Sequence, residues 1–237
     1  MFIIIPLGGK GERFKKEKYI LPKALIPIFG KPILYYLLDN LDLKNIDFVY
    51  IPYHKDYQPY NLEGKLIQDY PYIVFKFYKL EFDTEGAAHT LNLALKQLKI
   101  KDQPILSLDC DNFFINNNIV QKWNGENKLI CILDTDTNPI YSYLNINEQQ
   151  ETIDIKEKVK ISDYACTGAY GFSSYKTLLK YSQIILDKKI KQKNEYYISN
   201  IISYMIQEKI KFKPCLIKKE EWICLGTPNQ VLNYIQK

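Results

Sequence analysis

The start of this sequence constrains the fold more than any other part of it. Residues 2–6 form an apolar, β-prone run that ends in a proline, and residues 7–14 follow at once with three of the chain's ten glycines. An apolar run of this kind is typical of a buried strand. Glycine lacks a Cβ, so consecutive backbone N–H groups in such a loop can turn inward and hold phosphate oxygens. The N-terminus therefore predicts a buried strand that leads into an anion-binding loop.

The first half of the chain then alternates strand-like and helix-like segments. Apolar runs at residues 48–51, 73–78 and 104–108 predict strands. Helical spacing of apolar residues predicts helices at 31–40 and 87–98. This order predicts an α/β fold, in which helices flank a Rossmann-like and mostly parallel sheet.

The second half is richer in strands, some of them expected to run antiparallel. Its predicted strands lie at residues 129–133, 140–146, 152–155, 165–172 and 211–216. Helices are predicted at 174–187 and 195–207, and a short last helix follows a turn at 226–228. No repeat, low-complexity tract or Gly/Ser linker divides the 237 residues, so we expect a single domain.

Composition narrows the functional classes. Hydrophobic residues make up 46% and charged residues 25%, as in a soluble globular protein, and no apolar run is long enough to span a membrane. The net charge of +5 comes from 32 basic residues interleaved with 27 acidic ones, so nucleic acid is not an expected partner. The five cysteines form no CxxC pair and the N-terminus does not resemble a signal peptide, which together predict a reducing, cytoplasmic location.

Only one of the basic residues is an arginine, and it lies in the glycine-rich loop. The loop reads Gly8-Gly9-x-Gly11-x-Arg13, which is neither the Walker pattern nor a GxGxxG fingerprint. A guanidinium at this place would add a bidentate positive charge for a phosphate. A plain structural turn is the alternative, but the position of the lone arginine favours a phosphate-binding loop.

A second segment, residues 21–32, is rich in proline and carries Lys23 near its start. Two prolines restrict the backbone so that Lys23 is expected to point back toward the preceding loop. There an ammonium could neutralise a triphosphate. The alternative is a solvated lysine in a rigid loop.

Together the two segments resemble the signature of the nucleotidyltransferase family that makes NDP-sugars and related activated alcohols. Later segments resemble landmarks of the same family, in the same order: residues 85–89, 109–111, 157–158, 167–172 and 222–228. The resemblance implies the nucleotidyltransferase or glycosyltransferase A-type fold. It also implies that residues 1–112 form a nucleotide-binding half and residues 113–237 an acceptor-binding half.

The resemblance further implies a reaction in which a phosphorylated acceptor attacks the α-phosphorus of an NTP in line and pyrophosphate leaves. Arg13 and Lys23 would hold the triphosphate, and Lys158 the attacking phosphate. Asp109, with Asp111 second, would bind Mg²⁺. The remaining nucleotide contacts are expected from Leu7, Gly8, Gly9, Gly11, Gly86, Ala87 and Asp109, and the acceptor contacts from Glu157, Lys158, Gly168 and Tyr196.

One departure from the family pattern concerns the metal. Cys224 stands where the family usually has an aspartate that binds the metal ion. A neutral thiol is a poor ligand for Mg²⁺, which prefers hard oxygen. Asp111 or water completes the metal shell, or metal use differs, or the site is degenerate.

The other departure concerns the base. Glu81 lies five residues before Gly86, where uridylyl- and thymidylyltransferases commonly carry a glutamine. A carboxylate accepts hydrogen bonds but cannot donate them, so it suits the N4 amine of cytosine better than the O4 carbonyl of uracil or thymine. We therefore expect CTP first and GTP or ATP second. A glutamate that points into solvent is the alternative.

The sequence leaves the chemical identity of the acceptor open. A sugar 1-phosphate is the family default, but the short chain and its departures leave room for phosphocholine or phosphoglutamine, and for a role in making capsule or other surface-polysaccharide precursors. The alternatives are a UTP-, dTTP- or GTP-dependent sugar-1-phosphate nucleotidyltransferase, a glycosyltransferase, and a degenerate nucleotide-sensing subunit. Pairing through a sheet edge or a helix face could form a homodimer.

Overall fold

The fold of residues 1–115 and 119–236 is described by a computed structural model. The strands are β1 (Phe2–Ile4), β2 (Pro27–Ile28), β3 (Lys31–Pro32), β4 (Phe48–His54), β5 (Phe75–Leu80), β6 (Ile105–Leu108), β7 (Asn112–Phe114), β8 (Lys128–Leu133), β9 (Ser142–Ile146), β10 (Thr152–Glu157), β11 (Tyr164–Phe172), β12 (Lys213–Leu216) and β13 (Trp222–Cys224). The helices are α1 (Glu12–Lys16), α2 (Ile33–Asp39), α3 (Leu62–Asp69), α4 (Ala87–Gln97), α5 (Ile119–Trp123), α6 (Tyr175–Asp187), α7 (Ile198–Gln207) and α8 (Pro228–Ile235).

A nine-stranded sheet forms the centre of the molecule. Strands β6, β1, β4 and β5 are parallel neighbours in that order. On the other side of β6 the sheet continues antiparallel through β11, β9 and β10, while β8 pairs with β11 and carries β12 parallel to itself. The predicted α/β sheet with flanking helices is confirmed, and its parallel strands come mainly from the first half of the chain.

Strand β1 and the residue after it show how the sheet is covered on both faces. Ile3 and Ile5 lie in one core with side chains from α2, α5 and α8, and Phe2 and Ile4 lie in the other with α4, α6 and α7. All four side chains are fully buried. Successive side chains alternate across a strand, so a strand between two helical layers must be apolar at every position.

The structure moves some boundaries and adds short elements. The strand predicted at 73–78 lies at Phe75–Leu80, and the helix predicted from residue 195 begins at Ile198. Strands β7 and β13 were not predicted, because three residues are too few to show a period. They pair with each other and set Cys224 opposite Asn112, which brings the C-terminal motif to the turn after β6.

Two further observations concern the cysteines and the lengths of the helices. All five cysteines are free, and Cys110, Cys131 and Cys166 are buried. Within residues 1–115 and 119–236, no helix is long and apolar enough to cross a membrane.

Candidate active site

A cleft of about 540 Å³ lies at the carboxyl ends of β1 and β6. Its walls come from the glycine-rich loop, the turn before α4, the turn after β6, the strands β10 and β11, and the start of α7. Open α/β sheets bind their ligands at this edge. The cleft brings together most of the residues predicted from the sequence, namely Leu7, Gly8, Gly9, Gly11, Arg13, Lys23, Gly86, Ala87, Asp109, Asp111, Glu157, Lys158 and Gly168.

The glycine-rich loop lies tightly against the start of α4. A Cβ on Gly8 would lie 2.2 Å from Thr90 Oγ1 and 3.1 Å from Thr84 Oγ1, so a larger residue would displace the Thr90 side chain. The two hydroxyls are 2.7 Å apart and both line the cleft. Gly11 has a φ of +64° and begins the short helix α1, which carries the exposed Arg13 at the cleft.

Lys23 reaches the floor of the cleft and pairs there with a carboxylate. Its Nζ lies 3.0 Å from Oδ2 of Asp111, and the two side chains are 25% and 10% exposed. Burial alone would lower the pKa of Lys23, but the Asp111 carboxylate raises it above the usual value. The Lys23 Cβ also lies 3.4 Å from the place a Gly11 Cβ would take, so the lysine packs against the glycine-rich loop.

Asp109 lies beside this pair. Its backbone N–H donates to the carbonyl of Gly168 at 2.8 Å, and a Cβ on Gly168 would come within 2.7 Å of the Asp109 Oδ2. Burial, together with the nearby charge of Asp111, raises the pKa of Asp109 to about 7. A divalent cation would relieve both effects, because it stabilises the ionised carboxylates.

Cys224 also lies at this floor. The position of a Cβ on Gly226 lies 2.5 Å from Asp111 Oδ2 and 3.4 Å from Cys224 Sγ, so the carboxylate and the thiol face one small space. Burial raises the pKa of the Cys224 thiol to about 12, so the thiol stays protonated at neutral pH. Among the described residues no three His, Cys, Asp or Glu side chains are grouped to hold a metal ion. The two aspartates supply hard oxygens that fit Mg²⁺ if phosphate oxygens or water complete its shell.

The opposite wall carries Glu157 and Lys158. Ser142 and Ser199 both donate hydroxyl hydrogen bonds to Oε2 of Glu157, the latter at 3.1 Å. Lys158 Nζ lies 3.6 Å from Oε1 of Glu157 and donates to the Tyr197 hydroxyl at 3.2 Å. The wall therefore presents one held carboxylate and one held ammonium to the cleft.

Two predicted residues do not join the cleft, and Glu81 is the first. It follows the last residue of β5, Leu80, which is buried, so alternation along the strand turns Glu81 outward. Its carboxylate pairs with Lys79 at 2.8 Å, and that lysine holds the pKa of Glu81 below its usual value. It lines a shallow pocket on the outer side of the glycine-rich loop, together with His54 and Asp83.

The second is Tyr196, whose side chain is buried in the core while its neighbour Tyr197 lines the cleft. The Tyr196 backbone instead supports the start of α4, because its carbonyl accepts from the Ala88 N–H at 3.0 Å and its N–H donates to the Glu85 carbonyl at 2.8 Å. The sequence offered two adjacent tyrosines, and the direction in which α7 begins decides which of them faces the cleft. Sequence reasoning also missed Thr90, although it lies four residues after Gly86, one helical turn along α4.

Known proteins resemble this chain in sequence. The sequence model of the family described as Nucleotidyl transferase matches residues 3–237. The bifunctional protein GlmU of Sulfurimonas denitrificans is 24% identical over 236 residues, which cover 93% of this chain and 49% of that protein. The D-glycero-alpha-D-manno-heptose 1-phosphate guanylyltransferase of Campylobacter jejuni is 26% identical over 160 residues, 67% of this chain and 69% of that protein. The chain spans about half the length of the GlmU proteins that it matches.

Solved structures show the same fold. The nucleoside-diphosphate-sugar pyrophosphorylase of Vibrio cholerae superposes with a TM-score of 0.87 at 20% identity, covering 100% of both chains. The inositol-1-phosphate CTP transferase of T. maritima superposes with a TM-score of 0.75 at 14% identity, covering 99% of this chain and 96% of the other. Because the family's sequence model matches nearly the whole length of the chain, the chain belongs to the nucleotidyl transferase family.

Proposed function

We propose that this protein transfers the nucleotidyl group of an NTP to the phosphate of a small acceptor. An acceptor phosphate oxygen forms a bond to the α-phosphorus, the bond from the α-phosphorus to its bridging oxygen breaks, and pyrophosphate leaves with the electron pair. The observation that carries the proposal is that one cleft contains the glycine-rich loop and the positively charged side chains of Arg13 and Lys23. The same cleft contains the carboxylates of Asp109 and Asp111. Such a reaction requires the protein to position the two substrates and to neutralise the charge of their phosphates.

The nucleotide would lie along the glycine-rich loop, with Arg13 and Lys23 at its phosphates. A guanidinium can bind phosphate oxygens in a bidentate manner, and Lys23 is held within reach by its pair with Asp111. Asp109 and Asp111 would hold Mg²⁺, which supplies charge neutralisation at the phosphates when it is bound. Family membership and the two aspartates support this assignment.

The acceptor would lie against the opposite wall, with its phosphate at Lys158. Next to that lysine the wall offers the Glu157 carboxylate, which can only accept hydrogen bonds when ionised, and the exposed Glu195 carboxylate also lines the cleft. Hydroxyl groups suit such a wall, whereas a carboxylate on the acceptor would be repelled. We therefore rank a sugar 1-phosphate before phosphoglutamine, and an activated sugar of this kind would serve surface-polysaccharide synthesis.

No residue of the cleft is assigned to the base of the nucleotide. The expectation of CTP depended on Glu81, which lies outside the cleft, so the preference for CTP stays a prediction without a residue to carry it. The named relatives include a guanylyltransferase and a CTP transferase. All four NTPs and dTTP therefore belong in the test.

The test is pyrophosphate release from each nucleotide with glucose 1-phosphate, phosphocholine and phosphoglutamine, with and without Mg²⁺. We expect Mg²⁺-dependent release with at least one pair of substrates. Replacing Arg13 with Lys keeps the charge but removes the bidentate fork, and turnover should fall about 10-fold, or about 1.4 kcal/mol. Lys16→Ala, on the same helix but outside the cleft, is the control. Nucleotide binding without release in every combination would point instead to the nucleotide-sensing subunit.

A further inference from the structure

Lys158 has a long, flexible side chain, and one neighbour fixes its direction. We propose that Tyr197 is a positioning residue whose phenol holds the Lys158 ammonium toward the acceptor phosphate. The inference rests on the proposed function and gives Tyr197 a specific role at the acceptor side of the cleft.

The Lys158 ammonium contacts two side chains and keeps N–H donors for the cleft. Its Nζ donates to Oη of Tyr197 at 3.2 Å and lies 4.7 Å from the centre of the same ring. Oε1 of Glu157 lies 3.6 Å away on another side. An ammonium has three N–H donors and the Tyr197 hydroxyl accepts from one of them, so donors remain available to the cleft.

The backbone of Lys158 is fixed as well. Its φ is +50°, in the left-handed region that non-glycine residues rarely adopt, and its N–H donates to the Tyr141 carbonyl at 2.8 Å. A strained conformation of this kind persists only where its surroundings hold it. The side chain therefore leaves the chain in a set direction, and Tyr197 restricts the torsions that remain.

Tyr197 is itself anchored at the start of α7. Its N–H donates to Oδ1 of Asn200 at 2.9 Å, and Ser199, two residues further on, donates to Glu157 Oε2 at 3.1 Å. Burial, together with the carboxylates of Glu195 and Glu157, raises the pKa of Tyr197. The phenol therefore stays protonated at neutral pH, and the start of α7 holds both members of the Glu157–Lys158 pair.

The same helix offers a matched pair outside the cleft. Lys188 Nζ donates to the Tyr204 hydroxyl at 2.5 Å and lies 4.8 Å from the ring centre, and neither residue lines the cleft. Removing the hydroxyl of Tyr204 therefore deletes an equivalent Lys–Tyr contact without touching the site.

The experiment compares Tyr197→Phe, Lys158→Met, the double variant and Tyr204→Phe by two readouts. The first is the KM for the acceptor against the KM for the nucleotide. The second is the affinity for inorganic phosphate, measured by calorimetry without turnover. We expect Tyr197→Phe to raise the acceptor KM and the phosphate Kd about fivefold, as for one lost hydrogen bond, and to leave the nucleotide KM unchanged. Tyr204→Phe should match the wild type.

The double variant decides between positioning and packing. If Tyr197 acts through Lys158, Tyr197→Phe has no further effect once Lys158 is methionine, so the two changes are not additive. Additive effects, or an equal rise in both KM values, would overturn the positioning role. If no nucleotide yields pyrophosphate while phosphate affinity still falls in Tyr197→Phe, the proposed reaction is wrong and the positioning of Lys158 stands.

Discussion

Two charged clusters flank the glycine-rich loop, and they use the same kinds of residue in different surroundings. The floor cluster consists of Lys23, Asp109 and Asp111. The rim cluster consists of Lys10, His54 and Asp83, on the outer side of the loop. The floor ion pair measures 3.0 Å and its side chains are 25% and 10% exposed, whereas the Lys10–Asp83 pair measures 2.8 Å with side chains 46% and 51% exposed. The pairs differ little in distance and greatly in exposure.

Burial sets the energetic weight of an ion pair. At the floor, burial and a second carboxylate raise the pKa of Asp109, and losing one partner leaves a charge that water cannot solvate. At the rim, Asp83 lies 3.3 Å from His54 Nε2 and keeps a pKa below its usual value through Lys10. Water and salt screen the exposed Lys10–Asp83 pair, so its loss should change little.

The largest expected effect comes from breaking the floor pair. Lys23→Met leaves Asp111 without its cation, and we expect the free energy of unfolding to fall by about 3 kcal/mol in urea denaturation. The double variant Lys23→Met/Asp111→Asn removes the stranded charge and should recover a large part of that loss. A double variant no more stable than the single one would contradict the weight given to burial.

Gly168→Ala tests the geometry that holds Asp109. Gly168 has a φ of +80°, and an added Cβ would lie 2.6 Å from Asn112 Nδ2 and 2.7 Å from Asp109 Oδ2. We expect a loss of about 2 kcal/mol of stability and a loss of turnover as the carboxylate is displaced. Gly30→Ala is the matched control, since its φ of +79° carries the same strain with nothing within 4 Å. Equal loss of turnover in both variants would show that strain alone is responsible.

Gly8→Ala tests the packing of the loop that separates the two clusters. The added methyl group would meet Thr90 Oγ1 at 2.2 Å, so we expect the free energy of unfolding to fall by about 1 kcal/mol. At Gly9 nothing lies within 4 Å, and Gly9→Ala should keep the stability of the wild type. Urea denaturation of both variants makes the comparison, and equal midpoints would show that the loop is not held at Thr90.

The smallest effects are expected at the rim and beside it. Asp83→Asn and Glu81→Gln should leave the melting temperature and the order of preference among the nucleotides unchanged, because both side chains are exposed and lie outside the cleft. Thermal shift with each nucleotide checks this. A changed order of nucleotide preference in Glu81→Gln would show that Glu81 contacts the base, as predicted from the sequence.

Most of the fold and much of the cleft could be predicted because their signals are local. The run of apolar residues in β1 predicts a strand buried on both faces, and residues at the ends of parallel strands meet at one sheet edge. The resemblance to the family predicted that Asp109 and Asp111 act together with the glycine-rich loop, and all three line one cleft. Elements that were not predicted include the helix α3 and the short strands β7 and β13, and only their mutual pairing defines the two strands.

The α/β sheet, the glycine-rich turn and the family could be read from the sequence, because these depend on residue types at fixed spacing along the chain. Tertiary structure decided that Lys23 pairs with Asp111, that Cys224 faces the same carboxylate, that Glu81 points outward and that Tyr197 faces the cleft in place of Tyr196. Each of these depends on which way a side chain leaves the backbone and on what another segment packs against it. Those directions are set by contacts between residues far apart in the chain, which no local pattern records.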